Sequence, residues 1–88
     1  MRVSIEHPTD RPNFSIVHLG SNLAIGFSYS TPIAFWRSGE GWVVRENDWG
    51  PTTGKHLNHF DEGDKSERLP SAHFEARLHE SAQIQERV

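Results

Sequence analysis

The sequence lacks cysteine, long apolar runs and any excess of basic side chains. Without cysteine there can be neither a disulfide framework nor a thiolate metal site. No stretch approaches the ~20 apolar residues of a membrane-spanning helix. The N-terminal stretch MRVSIEHPTD has no apolar block of the kind found in signal peptides. These absences lead us to expect a cytoplasmic protein.

The formal net charge is −3, and the acidic excess lies in the last third of the chain. Residues 1–60 carry five basic and five acidic side chains, whereas residues 61–88 carry four and seven. Nucleic-acid affinity comes largely from basic side chains that neutralise phosphates. This distribution therefore disfavours non-specific nucleic-acid binding.

Alternating polar and apolar residues predict short β-strands through the first half of the chain. Residues 23–29 alternate most strictly, with large side chains on one face, Tyr29 included, and small ones on the other. Turns at 20–22 and 37–41 contain glycine and are short, so sequence neighbours should pair as an antiparallel meander. Strands are expected over residues 2–6, 14–19, 23–29, 33–36 and 42–45, with a loop over 7–13.

The second half of the chain predicts helices. A short helix is expected to start near Thr52 or Thr53, one of which caps it, with Leu57 and Phe60 on one side. Residues 61–69 are charged and predict a solvated linker.

A C-terminal helix over residues 70–88 should pack on the sheet through Phe74 and Leu78. The predicted fold class is α+β: one domain of residues 1–88, with a sheet of four to five strands and this helix on one face. The other face is expected to be thinly covered, which suggests a partner.

The stretch from Gly50 to His56 reads GPTTGKH and superficially looks like a phosphate-binding loop. Such a loop has four residues between its glycines, then a lysine, then a serine or threonine whose hydroxyl binds magnesium. Here three residues separate Gly50 from Gly54, and His56 stands where the hydroxyl is needed. The sequence therefore disfavours a nucleotide-hydrolysing enzyme.

Six histidines raise the question of metal binding or catalysis. His56 and His59 are three apart and could share a helix face, but a zinc site needs three or four ligands and no third one is evident. The sequence also shows no nucleophile motif, and a small open sheet seldom encloses a deep pocket. We therefore expect a protein that is not an enzyme, with no catalytic residue, no metal and no cofactor.

Residues 43–60 are dense in side chains that form directional hydrogen bonds, with Trp42 directly before them and Trp49 among them. Loops of this composition often serve recognition, because aromatic and arginine side chains supply much of an interface's energy. The alternative is that Asn47, Asp48 and the threonines cap helix and turn ends.

Trp36 is the best single argument for an interface. It follows Phe35 directly, so in a regular strand the two side chains point to opposite faces. One of them, in our interpretation Trp36, is then exposed or covered by a partner or a second copy of the chain. The candidate partner-binding residues are Trp36, Arg37, Arg45, Asn47, Trp49, Thr52, Thr53, Lys55, His56 and Asn58.

Residues 27–61 include the segments YSTPIAFW and GWVVRENDWGPTTGKHLNHFD. They resemble a small domain of unknown function from phage and bacterial mobile-element reading frames. The shared pattern is Thr-Pro-x-Ala-Phe at 31–35, Val-Arg-Glu-Asn at 44–47, a tryptophan at 49 and Thr-Thr-Gly-Lys-His-Leu-Asn at 52–58. The resemblance implies a phage-like origin and a small non-enzymatic protein, and it carries over no catalytic role.

Our first functional hypothesis is a phage-type protein that occupies a surface on a host protein or nucleoprotein complex. An inhibitor of a bacterial defence system, such as a CRISPR effector, would act in this way in the host cytoplasm, with the acidic tail competing for a basic channel. The alternative is a small dimeric single-strand nucleic-acid-binding protein, in which tryptophans stack on bases and Arg37, Arg45 and Lys55 hold phosphates. A third interpretation is a phage protein whose dimer interface is its sole contact.

Overall fold

Five strands come first along the chain, and two helices follow them. The computed structural model describes residues 2–8 and 13–86, with side chains as far as residue 83. Part of the predicted loop (9–12) and the end of the predicted helix (87–88) lie outside the described residues. The elements are β1 (Val3–Glu6), β2 (Phe14–Leu19), β3 (Leu23–Ser28), β4 (Thr31–Arg37), β5 (Gly41–Val44), α1 (Pro51–Asp61) and α2 (Ser71–Glu86).

The five strands form one antiparallel meander in the order β1-β2-β3-β4-β5, which confirms the α+β prediction. Gly20 follows β2 with φ 68°, and Gly39 and Gly41 shape the β4–β5 hairpin with φ 88° and 77°. Glycine enters this left-handed region without a clash from a Cβ atom. The predicted glycine turns therefore do bring sequence neighbours together.

The β3–β4 hairpin departs from the predicted alternation. Its register shifts after Gly26, so that Gly26 pairs with Ala34 while Phe27 pairs with Pro32. Tyr29, which we expected to continue the apolar face, lies exposed in the turn with φ 56°. A bulge adds one residue to one strand and bends it. The alternation of β3 therefore ends at Ser28, one residue before the predicted end at Tyr29.

The C-terminal helix packs on the sheet as predicted. Phe74 is fully buried against Leu23 and Phe35, and the rings of Phe35 and Phe74 lie 5.4 Å apart. Leu78 adds a partly buried contact to the same cluster. Phe35 of β4 pairs with Ile25 of β3, so both side chains lie on the face that α2 covers. We call it the α2 face of the sheet.

The other helix, α1, packs on the opposite face, which we call the α1 face. Leu57 is fully buried in a cluster with Ile33, Ala34 and Val44, and Phe60 packs against that cluster. The sequence predicted this face to be thinly covered. α1 instead covers one end of it and leaves the other end open.

The start of α1 differs from the predicted cap. The helix begins at Pro51 with Gly50 as its N-cap and without a side-chain cap, so neither Thr52 nor Thr53 caps it. Proline suits the first helical position, where its missing N–H has no partner to lose. No helix in the described part of the chain is both long enough and apolar enough to cross a membrane.

The segment between the helices is exposed over residues 62–67 and is fastened to the domain at Arg68 and Leu69. The Arg68 guanidinium donates to both carboxylate oxygens of Asp61, at 2.7 and 2.9 Å. The Leu69 N–H donates to the Val44 carbonyl at 2.9 Å, and the Leu69 carbonyl accepts from Glu46 at 2.8 Å. The charged segment is therefore tethered near its end, where Leu69 forms an isolated bridge with Arg45.

Candidate functional site

The stretch from Gly50 to His56 forms the start of α1 and does not form a phosphate-binding loop. The Gly54 N–H donates to the Gly50 carbonyl at 3.1 Å, so this amide belongs to the helix. Lys55 is exposed, whereas His56 is buried. The preceding sheet is antiparallel throughout, whereas a phosphate loop follows a buried strand of a parallel sheet.

Two predicted partner-binding residues, Thr53 and His56, lie buried against the sheet. The Ser28 hydroxyl is 3.1 Å from Thr53 Oγ1 and 2.7 Å from His56 Nδ1. The His56 ring stacks on the Phe14 ring with a centroid separation of 4.7 Å. Buried polar groups destabilise a fold unless they are hydrogen-bonded. This cluster therefore anchors α1 to β2 and β3.

A serine and a histidine at hydrogen-bond distance also form the core of many nucleophilic enzymes. Ser28 and His56 are 2% and 1% exposed. The hollow beside Ser28, next to Trp49 and Thr53, has a volume of about 50 Å³. That volume holds a few water molecules at most. The geometry fits a structural contact better than a substrate site.

Arg45 is buried where the sheet meets α2. Its guanidinium donates to the Pro32 carbonyl at 3.3 Å and to the Ser71 hydroxyl. It also lies 4.7 Å from the centre of the Trp49 ring and 5.4 Å from that of Phe74. A guanidinium between two aromatic rings combines cation–π attraction with hydrogen bonding. Arg45 thus joins β4 to the first turn of α2.

Asn47 and Asn58 also make contacts within the molecule. The Asn47 side-chain oxygen accepts from the Trp49 N–H at 3.0 Å, and its amide donates to the Gly50 carbonyl at 3.2 Å. This is an Asx turn that leads into α1. The Asn58 oxygen accepts from Arg68 at 3.1 Å. For Asn47, the observed geometry is that of a residue that caps a turn, which was the alternative to a recognition role.

The exposed members of the predicted set lie in two separate places. Five of them, namely Asn47, Trp49, Thr52, Lys55 and Asn58, are exposed before and along α1, and Trp49 is 46% exposed. Trp36 and Arg37 are half-buried at the far end of β4. The ten residues therefore do not form one continuous surface, and a binding role for the exposed ones stays a prediction.

A trough opens on the α1 face where α1 ends. His18, Ala24, Trp36 and Trp42 are paired across four strands and form one row on this face. Because Ala24 is small, a hollow of about 320 Å³ lies between the three larger side chains. Trp42 is 36% exposed, and its ring lies 4.5 Å from that of Phe60 at the end of α1. We call these four row residues the aromatic trough.

Carboxylates flank the aromatic trough at both ends. On the β1 side, Glu6 Oε1 lies 2.8 Å from His18 Nε2. On the β5 side, two hollows share Trp42, and their charged lining residues are Glu40, Asp61, Asp64, Glu67, Arg68 and Arg77. Hydrogen bonds from Ser66, first of all from its backbone N–H, hold the pKa of Asp64 below its usual range. This charge favours a partner that presents basic groups.

The histidine pair suggested by the sequence packs against one aromatic ring. His56 stacks on Phe14, whereas the His59 ring meets Phe14 edge-on with a centroid separation of 5.2 Å. Within residues 2–8 and 13–86, no three histidine, aspartate or glutamate side chains are grouped so that they could hold a metal ion.

Comparison with known proteins places these features in a family. Residues 7–76, more than half of the chain, match the family of unknown function DUF8033. The chain belongs to this family. The resemblance found in residues 27–61 falls inside the matched span, so the assignment to a small domain of unknown function is confirmed. No curated protein and no solved structure matches the chain.

The aromatic trough of this DUF8033 chain contains three residues that the sequence did not single out as partner-binding, namely His18, Ala24 and Trp42. One signal was available for Trp42, because a hairpin turning about Gly39 places it opposite Trp36. His18 and Ala24 join the row only through the registers of two further strand pairs.

Proposed function

We propose that this DUF8033 protein is a non-enzymatic binding module that occupies a surface on a host protein complex. The aromatic trough is the observation that carries the proposal. Trp36 and Trp42 stand opposite each other, Ala24 keeps the space beside them open, and α1 stops before it covers them. Partly exposed aromatic side chains around a hollow are typical anchors of protein interfaces.

The chemistry of the trough favours a partner with an apolar side chain beside a lysine or arginine. The indole rings accept apolar groups and attract cations over their faces. Glu6 on one side and Glu40 and Glu67 on the other would pair with basic groups at the rim. Proteins that hold nucleic acids present such basic surfaces.

The finer assignment within this proposal is a phage-type inhibitor of a bacterial defence system, such as a CRISPR effector, acting in the host cytoplasm. The resemblance of residues 27–61 to phage and mobile-element reading frames supports this choice of partner. The acidic residues between 61 and 69 would contribute by competing for a basic nucleic-acid channel.

The test compares three tagged proteins: the wild type, Trp36→Ala and Trp49→Ala. Trp49 is a matched control because it is an exposed tryptophan that lies outside the aromatic trough. We expect a purified CRISPR effector to bind the wild type and Trp49→Ala in calorimetry, and Trp36→Ala to lose at least about tenfold in affinity. Loss with Trp49→Ala and not with Trp36→Ala would move the interface to the start of α1.

One observation supports the alternative hypothesis of a single-strand nucleic-acid-binding protein. Two partly exposed tryptophans on neighbouring strands form a platform on which bases could stack. The carboxylates around the trough oppose phosphate binding. Titration with labelled oligonucleotides at low ionic strength separates the two ideas. We expect no binding there, and a salt-dependent affinity would favour the alternative.

A further inference from the structure

We propose that the outer edge of β1 is an interface between two copies of this chain, paired antiparallel about Ser4. β1 is the first strand of the sheet and pairs with β2 alone among the described strands. An open strand edge carries unsatisfied amides and carbonyls that readily accept another strand. The backbone groups of this contact lie outside the aromatic trough, and Glu6 is the residue that adjoins both.

The backbone of β1 presents two residues to the open edge. The Arg2 carbonyl accepts from the Gly20 N–H at 2.6 Å, and these two residues are opposite each other in the β1–β2 register. Hydrogen-bonded pairs alternate with non-bonded pairs in antiparallel strands. Arg2, Ser4 and Glu6 therefore turn their backbone groups toward β2. Val3 and Ile5 turn theirs outward.

The sequence of β1 is complementary to itself in one register. Antiparallel pairing of RVSIE with a second copy about Ser4 sets Arg2 opposite Glu6 and Val3 opposite Ile5. The outward groups of Val3 and Ile5 would then exchange hydrogen bonds with the second copy. Opposite charges and apolar pairs directly across two strands stabilise a sheet, whereas like charges destabilise it. The charged ends of this edge therefore favour this register instead of blocking the edge.

The side chains agree with this register. Val3 and Ile5 are 60% and 64% exposed on the α2 face, beside half-buried Val17. A two-fold axis normal to the sheet keeps each face on its own side. The exposed apolar residues of both copies would then form one strip. Glu6 is already bonded to His18 on the other face, and Arg2 has no carboxylate partner among the described residues.

The first test uses charge variants of the full chain in sedimentation equilibrium. We expect the wild type to dimerise and Glu6→Arg and Arg2→Glu each to weaken self-association by about tenfold or more, because each sets like charges opposite. An equimolar mixture of the two variants should associate again, since both pairs are then complementary. Trp36→Ala is the control and should dimerise like the wild type.

The second test uses the unaltered protein and does not depend on a variant's folding. Amide hydrogen exchange of Val3 and Ile5 should slow as the protein concentration rises, whereas that of Ser4 and Glu6, bonded within the sheet, should change little. A monomer at every concentration, or a mixture of charge variants that stays monomeric although each is folded by circular dichroism, would overturn the proposal. A dimer that Trp36→Ala dissociates would also overturn it and place the contact at the aromatic trough.

Discussion

The ring of Phe60 lies directly on Gly26, the smallest residue in the middle of the sheet. A Cβ atom added at Gly26 would come within 2.3 Å of Phe60 Cζ. This close approach lets α1 pack on the α1 face, because a larger residue at position 26 would clash with the Phe60 ring. Gly26 is buried beneath the ring, whereas its neighbours Ile25 and Phe27 on the other face are half-buried.

Gly26→Ala should lower the free energy of unfolding by about 1–3 kcal/mol, because overpacking forces the ring and helix to move. Urea denaturation measures the change. The double variant Gly26→Ala with Phe60→Leu provides the control, since a smaller side chain at position 60 relieves the clash. If the two single changes simply add, the ring does not lie on Gly26 in solution.

Ser28→Ala should destabilise the protein by about 1–3 kcal/mol, because it removes the hydrogen-bond partner of buried His56 and Thr53. The matched control is Ser30→Ala, an exposed serine in the adjoining turn, which should stay within about 0.5 kcal/mol of the wild type. Thermal unfolding followed by circular dichroism measures both. Equal stability of the two variants would show that the buried cluster does not anchor α1.

Arg45→Ala should lower the free energy of unfolding by about 2–4 kcal/mol, through lost hydrogen bonds and lost packing between Trp49 and Phe74. Arg45→Lys should recover little of this loss, because an ammonium group cannot reproduce the planar donor fork. Lys55→Ala removes an exposed cation and is the control. Full stability of Arg45→Lys in urea would mean that charge alone suffices at this position.

Asp64 should titrate below the usual range of an aspartate, because Ser66 donates hydrogen bonds to its carboxylate. A lowered pKa in the folded state means that the carboxylate stabilises the fold above the unfolded pKa, and that this contribution is lost as pH falls through the folded pKa. Carbon-13 NMR of the carboxyl group measures the titration. Ser66→Ala should raise the pKa only in part, since the backbone N–H remains. A wild-type Asp64 that titrates at or above the usual range contradicts the contact.

The meander and the packing of Phe74 followed from the sequence because both depend on local signals. Glycine turns fix which strands are neighbours, and an apolar stripe fixes which side of a helix is buried. The roles of Arg45 and His56 did not follow, because residue type alone does not distinguish an arginine or histidine that binds a partner from one that is buried in the core. Their burial depends on contacts with Pro32 and Ser28, which are distant in sequence.

The sequence by itself determined the antiparallel meander, the two helices and the departure from a phosphate-loop motif, since each rests on short-range periodicity and turn chemistry. The tertiary structure alone decided that α1 covers just one end of the α1 face. It also decided which polar residues are buried and that the row of the aromatic trough stays open. Those outcomes depend on the registers of four strand pairs and on how far an eleven-residue helix reaches across a five-stranded sheet. Turn geometry fixes the register of a single hairpin, but the row that runs across four strands and stays uncovered depends on all the registers together and on where α1 ends.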